Sequence, residues 1–246
     1  MIYARLIGFA LLFTLGVALL PAHAQEEATR RWTDTAELAF INTTGNTRTT
    51  NLSLANKYVY AWDKAMDFTV DAGALRTESN NLKTAESYLL AGKYRRNITD
   101  RFLWYGLGGW SRNEFAGFTD RYTAGAGLGY RFIELNPHGL VGEFGFGYTD
   151  EKRIPPNSDS NGAEARSFLG YSYKISETSK LVAELEVFDN IEETSDWRGR
   201  TTASVTATIS KQLALKTGYT VLYDNVPTPG FRKTDTIFST SLVVNF

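Results

Sequence analysis

The sequence predicts an all-β protein, a transmembrane antiparallel up-and-down β-barrel of about 12 strands. Apolar and polar residues alternate along most of the chain after residue 31, and turn residues interrupt the alternation at regular intervals. The alternating segments run for roughly 10–14 residues, whereas globular strands average about 5–6 and a tilted spanning strand needs about 9–11. No apolar run after residue 24 is long enough for a spanning helix, so a chain that crosses a membrane does so here as a closed barrel.

The first 24 residues have the pattern of a secretory signal peptide. Arg5 supplies the positive region, residues 6–20 are uncharged and apolar, and Ala22-His23-Ala24 matches a cleavage site of the A-x-A type. The apolar run is shorter than the about 20 residues of a spanning helix, and an uncleaved anchor is the alternative. We expect cleavage after Ala24, a short polar lead over residues 25–31 and one barrel domain over residues 32–246.

Charge and composition exclude several functions. The chain contains 26 Lys and Arg against 27 Asp and Glu, so it lacks the basic excess that favours nucleic acid as a partner. It has no cysteine, which excludes disulfides and thiolate metal sites. No cofactor is expected.

Six strands are predicted in the first half of the barrel, over residues 32–43, 48–60, 66–77, 82–96, 101–115 and 119–133. Five of them place apolar residues on one parity and polar or small residues on the other, which gives each strand one side suited to lipid. In the fifth strand both parities are apolar or Gly, with Phe102 and Trp104 against Leu103 and Tyr105. The facing of that strand is therefore not predicted.

Six more strands are predicted over residues 140–149, 162–175, 180–189, 197–210 and 213–223 and in a closing strand that ends at Phe246. The longest polar loop is predicted at residues 152–161, and a second long loop, which holds Pro227, Pro229 and Gly230, at residues 224–233. Short turns follow the even-numbered strands, and the long loops follow odd-numbered ones. Because such barrels have short periplasmic turns and longer external loops, we expect the short turns and Phe246 on the periplasmic side.

Aromatic residues recur at the ends of even-numbered strands, on the apolar parity. This placement predicts an aromatic ring at one membrane interface, and scatter by β-propensity alone is the alternative. The residues are Tyr58, Tyr60, Tyr94, Tyr130, Phe132, Tyr171, Tyr173 and Phe246.

The closing strand places Leu242, Val244 and Phe246 on one parity, and Ser239, Ser241 and Asn245 on the other. This ending resembles the terminal assembly signal of bacterial outer-membrane barrels. The resemblance implies that outer-membrane lipid and the barrel-assembly machinery are partners of the chain.

The whole mature chain also resembles the YdiY-like family of unknown function, which is described as salt-induced outer-membrane proteins. The matching segments are Asn42-Thr43-Thr44-Gly45-Asn46-Thr47, Asn97-Ile98-Thr99-Asp100 and Lys174-Ile175-Ser176-Glu177, together with the signal peptide and the Phe246 ending. The resemblance implies a barrel in the bacterial outer membrane and a link to salt stress. It supplies no catalytic residues.

Thirteen charged residues on the polar parity of their strands are candidates to face the lumen. They are Glu37, Lys57, Asp71, Lys93, Arg95, Arg131, Glu143, Glu164, Arg166, Lys174, Glu184, Glu186 and Lys216. Their mixed signs indicate an interior with ion pairs. Two interpretations stay open, a narrow path for ions or small solutes and a polar filling of a structural or stress-related barrel, because about 12 strands lies between small filled barrels and porins of 16–18.

Enzymatic function is not expected. A general base that works near neutral pH is usually His, and His138 is the single His after the signal peptide. It lies in a predicted periplasmic turn, whereas most outer-membrane lipases, deacylases and proteases of similar size use a His with Ser, Asp or Glu near the outer leaflet. An outer-membrane enzyme acting on lipid or peptide and a soluble periplasmic ligand-binding β-barrel are the alternatives.

Overall fold

The computed structural model describes residues 31–44, 49–79 and 82–246. The predicted signal peptide and the lead as far as residue 30 lie outside these residues, as do most of the turns predicted at residues 44–47 and 79–81. The described part folds into twelve strands: β1 (Trp32–Thr44), β2 (Thr49–Ala61), β3 (Met66–Ser79), β4 (Leu82–Asn97), β5 (Phe102–Asn113), β6 (Phe118–Leu135), β7 (His138–Arg153), β8 (Ser160–Lys174), β9 (Ser179–Asn190), β10 (Trp197–Thr208), β11 (Leu213–Asp224) and β12 (Thr234–Asn245).

The twelve strands form one closed antiparallel barrel, which confirms the predicted fold class. Each strand pairs with its neighbours in sequence, and β12 closes the ring on β1 with Leu242 opposite Leu38. The backbone N–H of Phe246 donates to the carbonyl oxygen of Asp34 at 3.0 Å, which extends the closing seam to the last residue. In the described ranges no helix has the length and apolarity needed to span a membrane.

Large apolar side chains cover the outside of the barrel. Their exposed fractions are high, for example 58% for Leu128, 53% for Phe144 and 59% for Phe146. A soluble protein rarely exposes a continuous apolar patch of this kind, so the belt is suited to hydrocarbon. The period-two alternation produces this belt, because every second side chain of each strand points outwards.

Aromatic rings follow β1–β8 round the end of the barrel at which β1 begins and β12 finishes, which we call the turn end. Trp62 lies 5.1 Å from Tyr60 and 6.1 Å from Tyr94, measured between ring centroids, and Tyr94 lies 5.2 Å from Trp104. Further round the ring, Tyr130 lies 5.1 Å from Phe132. The opposite end, which we call the loop end, has the longer connections.

Two features differ from or add to the sequence prediction. The fifth strand, β5, points Phe102 and Trp104 outwards, with exposed fractions of 50% and 37%, and buries Leu103 and Tyr105 inside at 1% each. The predicted loop at residues 152–161 is shorter, since β7 continues to Arg153 and β8 begins at Ser160. The polar ends of these strands extend the ladder with their neighbours, where Lys152 pairs with Asp120. The connection over residues 225–233 is consequently the longer loop.

Candidate functional site: the barrel interior

A central network of ion pairs crosses the interior, and we define it as Lys93, Glu143, Arg166 and Glu186. Lys93 Nζ of β4 lies 2.7 and 2.6 Å from the two carboxylate oxygens of Glu143 on β7, although β5 and β6 separate these strands. Arg166 of β8 lies 2.9 Å from Glu143 and 2.7 Å from Glu186. The side chains of Glu143 and Arg166 are only 2% and 7% exposed, so their charges compensate each other out of water.

Aromatic rings pack against the cations of this network. The Tyr105 ring centroid lies 4.8 Å from Lys93 Nζ and 5.0 Å from Arg166 Cζ, and the Phe168 ring lies 5.3 Å from Arg166 Cζ. A cation over a ring face is stabilised further when both groups are desolvated. Charge pairing and aromatic packing therefore hold the same side chains in place.

The Tyr105 hydroxyl fits against two glycines on neighbouring strands. A Cβ atom added at Gly127 of β6 or at Gly145 of β7 would lie 2.6 Å from this hydroxyl, closer than atoms can pack. A cavity of about 10 Å³ beside Tyr105 is also lined by Glu164 and Arg166, and a void of this size has room for about one water molecule. This part of the lumen is therefore filled.

A second group of charges, the mouth network, lies nearer the loop end and consists of Arg121, Glu151, Arg153, Glu164 and Arg198. Glu151 accepts from Arg121 Nε at 2.6 Å and from Arg153 Nε at 2.8 Å. Arg198 of β10 lies 2.6 Å from Glu164 of β8. The Glu151 and Glu164 side chains are 7% and 9% exposed, so each of these carboxylates is buried with a cation beside it.

The interior has two different walls. The network wall consists of the inward side chains of β4–β8, which include most of the charged and aromatic side chains of the two networks and the glycines against which Tyr105 packs. The small-residue wall consists of the inward side chains of β9–β12 and β1–β3; Glu186 and Arg198 of these strands reach the two networks, and many of the other side chains are small. They include Ala39, Ser53, Ala55, Thr69, Gly73, Thr202, Ser204, Thr206, Gly218, Thr220, Ser239 and Ser241.

Charged side chains on the small-residue wall remain in contact with water. Lys57 Nζ lies 3.7 Å from Asp71, and the two side chains are 57% and 42% exposed. Glu184 and Arg200 are also exposed, and neither forms an ion pair within the described ranges. Water therefore reaches these charged side chains, although Ala39, Thr69, Ser204 and Ser241 on the same wall are buried.

Comparison with known proteins places the barrel in a family. A family model described as a protein of unknown function, DUF481, matches residues 36–246, which is most of the chain. The chain belongs to the DUF481 family. The uncharacterized protein YdiY of Escherichia coli (strain K12) is 24% identical over 194 residues, a match that covers 76% of this chain and 72% of YdiY. The family resemblance read from the sequence is thus confirmed.

Solved structures share the fold of this DUF481 barrel at low sequence identity. The NanC porin has a TM-score of 0.57 at 8% identity, and the match covers 85% of this chain and 98% of that one. The translocator domain of the autotransporter NalP from Neisseria meningitidis has a TM-score of 0.53 at 12% identity, over 90% of each chain. The KdgM porin has a TM-score of 0.50 at 7% identity, over 85% and 99%. These similarities show a common outer-membrane barrel fold.

The DUF481 barrel distributes the thirteen candidate lumen charges over four places. Lys93, Glu143, Arg166 and Glu186 form the central network, and Glu164 belongs to the mouth network. Glu37, Lys57, Asp71, Glu184 and Lys216 lie on the small-residue wall, where Lys216 and Glu37 are 2.8 Å apart. Arg95, Arg131 and Lys174 lie at the turn end, where they bind Asp67, Asn97 and Glu177 at 3.1, 2.7 and 2.8 Å.

Sequence reasoning missed several interior charges. They include Arg121, Glu151, Arg153, Arg198 and Arg200. The signal that could have found Arg198 and Arg200 is parity, because both lie on the same face of β10 as Ser204. Glu151 and Arg153 could not be found in this way, because the sequence predicts that the strand ends at residue 149 and that a loop begins at residue 152, whereas β7 continues to Arg153.

His138 lies at the turn end of the DUF481 barrel. Its Nδ1 is 2.8 Å from the hydroxyl of Tyr171, and its ring lies 4.9 Å from the Tyr173 ring, so it is part of the aromatic ring of this end. In the described ranges no group of three or more His, Asp or Glu residues is arranged to hold a metal ion.

Proposed function

We propose that the protein is a narrow channel in the bacterial outer membrane for ions and small polar solutes, exported with a signal peptide that is cleaved near Ala24. The path runs along the small-residue wall, and the network wall narrows it. The channel is therefore more restricted than an open porin.

The observation that carries the proposal is the difference in exposure between the charges of the two walls. The side chains of Lys57 and Asp71 are 57% and 42% exposed to solvent, whereas the side chain of Glu143 is 2% exposed. A barrel that only needed a polar filling gains nothing from leaving in solvent charges such as Arg200 and Glu184, which form no ion pair with the described residues. A hydrated path needs such groups to compensate ions in transit.

The shared fold supports the proposal at the level of class. NanC and KdgM are both described as porins, and each is matched over almost its whole length. Fold alone does not determine function, so support for a channel depends on the interior side chains of this barrel.

A structural barrel is the second candidate. The central network and the cavity with room for about one water molecule favour it, because they fill part of the lumen. It differs from the channel in one measurable respect, which is that a folded structural barrel does not conduct.

The experiment is planar-bilayer recording of the mature protein after refolding, with heat-modifiable gel migration as the test of folding. We expect discrete single-channel steps. The variant Ser239→Phe adds a ring to the small-residue wall and should reduce the conductance of each step. The control variant Ser167→Phe adds the same ring to the exposed outer face of β8 and should leave the conductance unchanged. Folded protein without steps would establish the structural barrel instead.

We propose no catalytic role. His138 faces an aromatic ring at the turn end, where Tyr171 and Tyr173 surround it. Hydrolysis of lipid or peptide by the refolded barrel, retained in His138→Ala, would favour the enzyme alternative. Recovery of folded protein from a detergent-free periplasmic extract would favour the soluble ligand-binding barrel.

Assembly by the barrel-assembly machinery is part of the proposal. Leu242 and Phe246 are 43% and 52% exposed, so they face outwards and are available to a protein partner before insertion. We expect Phe246→Ala to slow assembly in cells while the purified barrel refolds in detergent. Unchanged assembly in cells would show that Phe246 is not part of the assembly signal.

A further inference from the structure

The loop over residues 225–233, which we call the strap, crosses the mouth of the barrel at the loop end. It connects β11 and β12, and it contacts Gly117 in the connection between β5 and β6. In the order of strands round the ring, these two hairpins lie diametrically opposite each other. A contact between them can form only across the opening.

The tip of the strap is bonded to the opposite wall. Thr228 is 3% exposed, and its hydroxyl donates to the carbonyl oxygen of Gly117 at 3.3 Å. The backbone N–H of Ile154, in the connection between β7 and β8, donates to the same oxygen at 3.1 Å. Three of the connections at the loop end therefore meet at one carbonyl group.

The base of the strap is fixed, whereas Gly230 near its tip has free space beside it. At its base Asn225 accepts from the Tyr223 hydroxyl at 2.9 Å and donates to the carbonyl oxygen of Ser195 at 2.8 Å. Gly230 has a φ of +94° and nothing within 4 Å of the position of a Cβ. Gly117 has a similar φ of +96° but is packed against Thr228 and Phe231.

We propose that the strap is a gate at the entrance of the channel and that the contact of Thr228 with Gly117 is its latch. The gate rests on the proposed channel, since a barrel that does not conduct has nothing to gate. When the latch opens, the strap moves away from the β5–β6 hairpin about its fixed base, and solutes reach the mouth network and the small-residue wall. Because the latch consists of one hydroxyl hydrogen bond and a small van der Waals contact, thermal motion can break it.

Two glycine variants with equal backbone strain test the latch. Gly117→Ala places a Cβ 2.6 Å from the Cβ of Thr228 and 3.0 Å from Phe231, which pushes the strap away. Gly230→Ala introduces the same kind of strain at positive φ but meets no neighbour. We expect Gly117→Ala to raise the ratio of open to closed time at least about fivefold, the effect of losing one hydrogen bond, and Gly230→Ala to change it much less.

Reversible cross-linking tests the gate in a barrel that stays folded. Thr228 and Ile154 bind the same carbonyl oxygen, so cysteines at these two positions are close enough for a short thiol-reactive cross-linker. The chain has no cysteine of its own, so Thr228→Cys combined with Ile154→Cys gives no background reaction. With a linker that contains a disulfide, conductance should fall on cross-linking and return after reduction with dithiothreitol.

The outcomes separate the gate from the channel. Conductance that is equal in the cross-linked, reduced and Gly117→Ala proteins overturns the gate and leaves the channel. A further variant replaces residues 226–231 by Asn-Gly and so removes the strap. If cross-linking is efficient but no folded variant conducts, including this one, both the channel and the gate are overturned. A fall on cross-linking, reversed by reduction, supports both.

Discussion

The two walls of the lumen use charge in different ways. On the network wall, Glu143 lies among two cations and aromatic rings and is almost inaccessible to water. On the small-residue wall, Lys57 and Asp71 face each other at 3.7 Å with about half of each side chain in solvent. The difference teaches that parity alone does not determine the role of an inward charge, because the size of its neighbours decides whether it is buried or hydrated.

The largest expected effect is a loss of stability when an ion pair on the network wall is broken. Glu143→Gln keeps the shape of the side chain but leaves Lys93 and Arg166 without their shared carboxylate. Breaking a buried ion pair in this way costs about 3–5 kcal/mol. Urea unfolding of the barrel in phospholipid vesicles, followed by tryptophan fluorescence, measures the change.

Asp71→Asn is the matched control on the small-residue wall. An exposed pair contributes about 0–1 kcal/mol, so the loss of this carboxylate should hardly move the unfolding midpoint. Equal destabilisation by the two variants would mean that the walls do not differ as described.

A second comparison uses glycines that face the interior. Gly127→Ala on β6 brings a Cβ within 2.6 Å of the Tyr105 hydroxyl and against backbone atoms of β7, and overpacking of this kind costs about 1–3 kcal/mol. Gly73→Ala on β3 meets only Leu89, at 3.9 Å, and should be within about 0.5 kcal/mol of the wild type. The same unfolding experiment checks both, and a larger effect at Gly73 would contradict the packing described here.

Ion selectivity is the third comparison. Arg200→Glu reverses a hydrated charge on the small-residue wall, and we expect a shift of roughly 1 kcal/mol, or about fivefold in the permeability ratio, towards cations. Reversal potentials in a salt gradient measure this shift. Lys174→Glu is the control, because Lys174 is bound to Glu177 in a turn at the barrel end. A greater shift for the control would place the selective step at the turn end.

The smallest effect concerns screening by salt. A double-mutant cycle of Lys57→Met and Asp71→Asn should give a coupling of about 0.2–1 kcal/mol at low ionic strength. At about 1 M salt, where the Debye length is about 3 Å, that coupling should vanish. The same cycle on Lys93 and Glu143 should persist, since these side chains are largely buried. Persistence of both couplings at high salt would show that Lys57 and Asp71 are not hydrated.

The barrel could be predicted from sequence because alternation fixes the facing of each strand. Leu242 and Phe246 point outwards, as the alternation predicts, and the three longest connections fall at one end of the barrel. The facing of β5 could not be read, because Tyr105 is an apolar ring packed inside the lumen. The glycines that receive it, Gly127 and Gly145, carry no polarity that would mark the inner face.

The ion-pair partners could not be predicted for a different reason. Lys93 and Glu143 are 50 residues apart and lie on strands that do not pair, so their contact depends on the curvature of the closed ring. The strap is also invisible in sequence. Thr228 is an ordinary residue in a proline-containing loop until the fold places Gly117 opposite it.

The fit of Tyr105 between Gly127 and Gly145 has a mechanical consequence. β6 and β7 lie diametrically opposite the seam between β1 and β12 in the ring of strands. The close packing of Tyr105 against Gly127 and Gly145 is therefore as far as possible from the seam at which the barrel closes. Amide protons of β6 and β7 should consequently exchange with deuterium more slowly than those along the closing joint. The cylinder can then unzip at one side while the other persists as a preformed half-shell.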